Sequence, residues 1–212
     1  GLGPHASSSH VDAGLLALGG LVAQAVESEL GASWRAVTAA LDDAHPLKQC
    51  DRGPVGTLLY EPPEPQQLTQ IKARWPLMAV YRTGEPEDFA LTLEIPAYRT
   101  QIEIDWILGP LAIAQQRQFR GFMHAFGVVV REVVWQGRHP DYANGVRQFA
   151  GQFHELKVTG QSGPGVAQFV DTEKGGGYYA MSLRLDAVER HFYSSGGCGY
   201  EFALGYITEA TE

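Results

Sequence analysis

Apolar residues recur at three- and four-residue spacing through Leu15, Leu16, Leu18, Leu21, Val22, Ala25, Val26 and Leu30. That period places them on one side of an α-helix, with Asp12 as its N-cap and Gly31 as its stop. A second, shorter helix is expected from a Ser33 cap through Trp34, Val37 and Leu41. It should end before His45-Pro46, because the residue before a proline is driven out of the helical region. Between residues 46 and 66 the prolines Pro46, Pro54, Pro62, Pro63 and Pro65 interrupt any regular period. Only the apolar patch Val55 to Tyr60 reads as a strand there, and as an edge strand. Pro65 is placed to open a short helix containing Leu68 and Ile71.

From Leu77 the period changes to two. Leu77 to Arg82 is a compact apolar run between Pro76 and Gly84, which predicts a buried strand. Phe89, Leu91, Leu93 and Ile95 then alternate with smaller or polar residues, Pro96 to Arg99 turn the chain, and Ile102, Ile104, Trp106 and Leu108 alternate with Glu103 and Asp105. The expectation is an antiparallel hairpin with one buried face and the two carboxylates on the solvent face. After Gly109-Pro110 the helical period returns: Phe119, Phe122, Met123, Phe126, Val130, Val133 and Val134 form one stripe ending near Gly137. A weaker helical or strand segment lies near Val146 to Leu156. Gly160, Gly163, Gly165 and Gly175 to Gly177 then read as a mobile loop from Lys157 to Gly177. Tyr179, Met181, Leu183 and Leu185 alternate again, and Tyr200, Phe202, Leu204 and Tyr206 are expected to return after a turn at Ser194 to Gly199 as a second hairpin.

These elements define an α+β class: a mixed or antiparallel sheet of two hairpins plus an extra strand, packed against amphipathic helices. Residues 1–11 read as a flexible N-terminus, and residues 12–212 as one domain with extended connections at 46–66 and 157–177. With 212 residues and 44% hydrophobic side chains, one sizeable core is within reach. A formal net charge of −8 argues against a dedicated nucleic-acid binder, which needs a basic face to neutralise phosphates. Cys50 and Cys198 are too few for a disulfide framework and lack CxxC spacing, which points to a reducing compartment. The longest apolar run, Gly14 to Val22, stops short of the roughly 18 to 20 residues that span a bilayer, so the chain is expected to be soluble and cytosolic with no membrane partner.

Few patterns carry chemistry. His124, His139 and His154 raise a zinc site, yet no HExxH or HxH pair sets two imidazoles on one face, and no metal is expected. Cys198 lies among glycines in Ser194 to Gly199, where a hairpin reversal accounts for them better than a nucleophile elbow. Gly175-Gly176-Gly177 follows Lys174 but matches neither GxxxxGK[ST] nor GxGxxG, so a hinge is expected in place of a phosphate cradle. No catalytic residue and no cofactor is assigned. The candidate interaction residues are Arg138, His139, Asp141 and Tyr142 at the stiff exit of the long helix, and Lys174, Gly175, Gly176 and Gly177 in the glycine-rich connection.

The N-terminal helix, the run Trp75-Pro76-Leu77-Met78-Ala79-Val80-Tyr81-Arg82-Thr83-Gly84, the hairpin ending Ile104-Asp105-Trp106-Ile107-Leu108, the long helix and His139-Pro140-Asp141-Tyr142 together resemble tail-terminator and related neck proteins of tailed bacteriophages. The resemblance covers the layout of residues 12 to 208. It implies a small α+β subunit of the virion, made in the bacterial cytoplasm, that forms a ring, commonly six-fold. Such a ring caps the tail tube and contacts the head connector or other neck proteins, with DNA only passing through the lumen. Three other expectations stay open: another neck, tail-completion or tube subunit; a small hydrolase using Cys198 or a histidine; and a ligand-binding module between sheet and helix.

Overall fold

The computed structural model describes residues 13–48, 53–64, 68, 75–90, 96–138, 153–167 and 178–190. Within them the chain forms, in order, α1 (Ala13–Ala39), β1 (Thr57–Leu59), β2 (Leu77–Ala90), β3 (Pro96–Gly109), α2 (Ile113–Arg138), β4 (Phe153–Ala167) and β5 (Tyr178–Arg190). The five strands make one mixed sheet in the order β1-β2-β3-β5-β4. β1 lies parallel to β2, and every other pairing is antiparallel. The α+β class, with two hairpins plus an extra strand against helices, is what the chain adopts.

Alternation sets the two faces of the sheet. Ile102, Ile104 and Trp106 of β3 stand opposite Arg82, Val80 and Met78 on β2, and opposite Leu185, Leu183 and Met181 on β5. All of these except Arg82 are fully or almost fully buried, under the two helices. α1 packs on β2 and on α2, while α2 also covers β4 and β5. An aromatic cluster fastens the layers. Trp34 of α1 meets Phe119 and Phe122 of α2 at 5.2 and 5.3 Å, and Trp106 stacks on Phe126 at 4.8 Å. The Trp106 indole donates to the Pro54 carbonyl at 2.8 Å, so the proline-rich connection is tied to the middle of the sheet.

Four expectations need correction. The N-terminal segment is one helix of 27 residues that passes through Gly31. A Cβ at Gly31 would touch the Glu27 carboxylate and the Arg35 guanidinium, which pair across that turn at 2.5 Å, so this glycine makes room for an ion pair inside a helix. By length and composition this helix is apolar enough to cross a membrane, yet Leu18, Val22, Val26 and Trp34 are buried in the core.

In the first hairpin the partner of Ile102 to Leu108 is Leu77 to Arg82, and Pro96 to Arg99 belong to β3 opposite Glu87 to Ala90. β2 runs straight through Gly84 and Pro86, because the register shifts between Thr83 and Glu87 and Gly84 takes a φ of 69°. A bulge of this kind is where a strand tolerates proline.

Lys157 to Ala167, read as loop, is strand β4, with register shifts at Val158/Gly160 and Ser162/Gly165. The second hairpin is therefore β4-β5. The return strand expected from Tyr200 to Tyr206 lies outside the described residues, as does the short helix from Pro65 apart from buried Leu68. β1 itself is the expected edge strand.

The fourth correction concerns Asp105. It lies on the expected face, but it is only 1% exposed.

Candidate functional site

Three arrangements of polar side chains stand out, two on the sheet and one beside it. On the face away from the helices, Ala79, Asp105 and Ser182 sit side by side across β2, β3 and β5, with Tyr81 and Glu103 paired one step along. The Tyr81 hydroxyl donates to Asp105 Oδ2 at 2.6 Å, and the Ser182 hydroxyl donates to Oδ1 at 2.5 Å. Both carboxylate oxygens thus hold a partner from a neighbouring strand. Burial pushes the Asp105 carboxyl above its ordinary range, and the two hydroxyl donors pull it partly back. Burial, together with the Asp105 hydrogen bond and charge, drives the Tyr81 phenol well above its usual value. Glu103 is also raised, by burial first and then by Asp105, while Arg184 at 3.8 Å opposes the shift.

Both the Ser182 and the Tyr81 hydroxyls are engaged by the one buried carboxylate, each from a different strand. Its chemistry is that of a clasp across three strands. A second clasp lies on the helix-covered face: Arg82 of β2 pairs through both terminal nitrogens with Glu189 of β5, one contact measuring 2.7 Å, and Glu189 is 2% exposed. A bidentate pair of this geometry fixes orientation as well as charge. Sequence reasoning passed over both clasps. The signal was available in parity, since Arg82 continues the buried series Met78, Val80.

The third arrangement is the outer side of α2 with strand β4, which is the sheet edge among the described residues. The Arg131 guanidinium donates to the Gly127 carbonyl and to Gln161 Oε1 of β4, both at 3.0 Å. Beside it lies a groove of about 340 Å³ lined by Arg131, Glu132, Val134, Trp135, Lys157 and Val158. Val128 and Trp135 on the same helix are 66% and 39% exposed. Apolar area here stands beside two cations and the Glu132 carboxylate, a mixed surface suited to contact.

Of the interaction residues expected from the sequence, Arg138 closes α2, whereas His139, Asp141, Tyr142, Lys174, Gly175, Gly176 and Gly177 lie outside the described residues. Cys50 and Cys198 lie outside them too. His124 is exposed on α2 and His154 on β4, and among the described residues no group of three His, Cys, Asp or Glu side chains gathers to hold a metal ion. A scan of protein-family models finds no match to this chain, and a search of curated proteins finds no relative.

Proposed function

We propose that this chain is a structural subunit of a phage-type particle, a tail-terminator-like ring protein that caps the tail tube and joins it to the head connector. The observation that carries the reading is the order and layering of the elements. An N-terminal helix, an edge strand, the hairpin led by Trp75, a long helix laid back over the sheet and a second hairpin follow one another in a single α+β layer pair. The N-terminal helix, the run from Trp75 to Gly84, the hairpin ending at Leu108 and the long helix in that order are features on which the resemblance rests. A subunit of a ring also needs two unlike sides, because a heterologous contact joins different patches of neighbouring copies. Among the described residues the sheet offers them, with the three-residue β1 at one edge and the fifteen-residue β4 at the other. An acidic chain suits a lumen that conducts DNA without holding it, since like charge repels phosphate.

Light scattering tests the proposal, on the purified chain at rising concentration and after addition of tail tubes. Six copies of 23.1 kDa make a closed ring of about 139 kDa. A chain that stays monomeric in both settings rules the ring out.

A further inference from the structure

We infer that the outer side of α2 is the docking surface for the α1 side of a second copy of this chain, an inference that rests on the assembly reading above. Charge is divided unevenly along the chain. α2 carries Arg117, Arg120, Arg131 and Arg138 against the single carboxylate Glu132, in a chain whose net charge is −8. The described residues from α1 to Glu64 carry the opposite balance: Glu27, Glu29, Asp42, Asp43, Glu61 and Glu64 against Arg35 and Lys48. Among the described residues the exposed large apolar side chains divide between the same two helices, with Ile113, Val128 and Trp135 on α2 and Leu16 on α1.

The two parts therefore differ in charge balance, and the balances are complementary. On α2, His124, Val128, Arg131 and Trp135 follow one another at spacings of four, three and four, which puts them along one side of the helix. Arg131 is held in place by its bonds to Gly127 and Gln161, so its orientation costs little further entropy on docking. The adjoining groove is lined by Arg131, Lys157 and the Glu132 carboxylate, and Lys157 lies 3.7 Å from Glu155 on its own strand, so Arg131 is the leading cation for an incoming carboxylate, beside the face of Trp135 for an apolar side chain. Duplex DNA is the other partner a cationic helix suggests. The acidic stretch from α1 to Glu64 would repel its phosphates, while a second copy turns that stretch into the attracting surface.

Charge exchange tests the contact. One variant carries Arg131→Glu and Lys157→Glu; the other carries Glu29→Lys, Asp43→Lys and Glu61→Lys. Circular dichroism melts establish that both fold. Milder sets, R131Q/K157Q and E29Q/D43N/E61Q, repeat the measurement where a reversal unfolds the chain. Each variant alone is expected to need about tenfold more protein to assemble than wild type, because like charges then meet across the contact. An equimolar mixture of the two reversed variants is expected to assemble as wild type does, since every contact in an alternating assembly is again complementary. If wild type assembles and both reversed variants assemble equally well, this contact is wrong while the assembly reading stands. A wild type that is monomeric throughout removes both. Loss of DNA binding with unchanged assembly in the first variant would make α2 a nucleic-acid surface and overturn the inference.

Discussion

At the scale of single residues, the chain spends buried polar groups on joining strands. Asp105 accepts from Tyr81 and Ser182, and removing the carboxylate would leave two hydroxyls without their acceptor. Asp105→Ala is expected to cost about 1–3 kcal/mol in urea unfolding, the desolvation penalty of the abandoned donors. Its pH dependence has a definite sign. Burial raises the carboxyl above the ordinary value of 3.8, so the folded chain binds that proton more tightly than the unfolded chain does. The contribution is complete below the ordinary carboxylate range and is lost as pH rises through the raised value. Between about pH 4 and pH 7, wild type should therefore lose stability relative to Asp105→Asn, and a relative gain would refute the burial account. The Arg82–Glu189 clasp makes a second prediction. Glu189→Ala takes the paired carboxylate from a guanidinium that is only 22% exposed, and is expected to cost about 3 kcal/mol by the same unfolding measurement.

At the scale of elements, legibility follows the strength of the period. The stripe Phe119 to Val134 and the alternation Ile102 to Leu108 are dense in large apolar residues, and both form as read. β4 is hard to read because glycines and bulges break its alternation: Gly160, Gly163 and Gly165 leave few side chains with which to mark a face. Gly84 and Pro86 mislead in the same way, since turn residues also serve a bulge, and a bulge leaves both flanking runs in one strand. Asp105 falls on the face that parity assigns, but parity cannot say whether a face is covered. Gly163 gives the direct test of the β4 assignment. It has a φ of 89°, and a Cβ there would come within 2.8 Å of the Ala180 carbonyl oxygen. Gly163→Ala is expected to cost more than about 1 kcal/mol, whereas alanine in a flexible loop would be neutral or slightly stabilising.

At the scale of the whole molecule, the layer pair presents two different sides: α2 carries four arginines against Glu132, whereas the described residues from α1 to Glu64 carry six carboxylates against Arg35 and Lys48. On the proposed reading these unlike sides join copies head to tail, and closure of that contact gives a ring. The fold class is legible because strong periods define most of its elements. The proposed function is not, because an assembly surface has no fixed residue pattern and the clasps on the sheet join strands. Electron cryomicroscopy of the chain assembled on tail tubes reads the central claim directly. The account predicts a closed ring at the end of the tube, with α2 of each subunit against α1 of the next. Tubes that end bare in the presence of folded protein would contradict it.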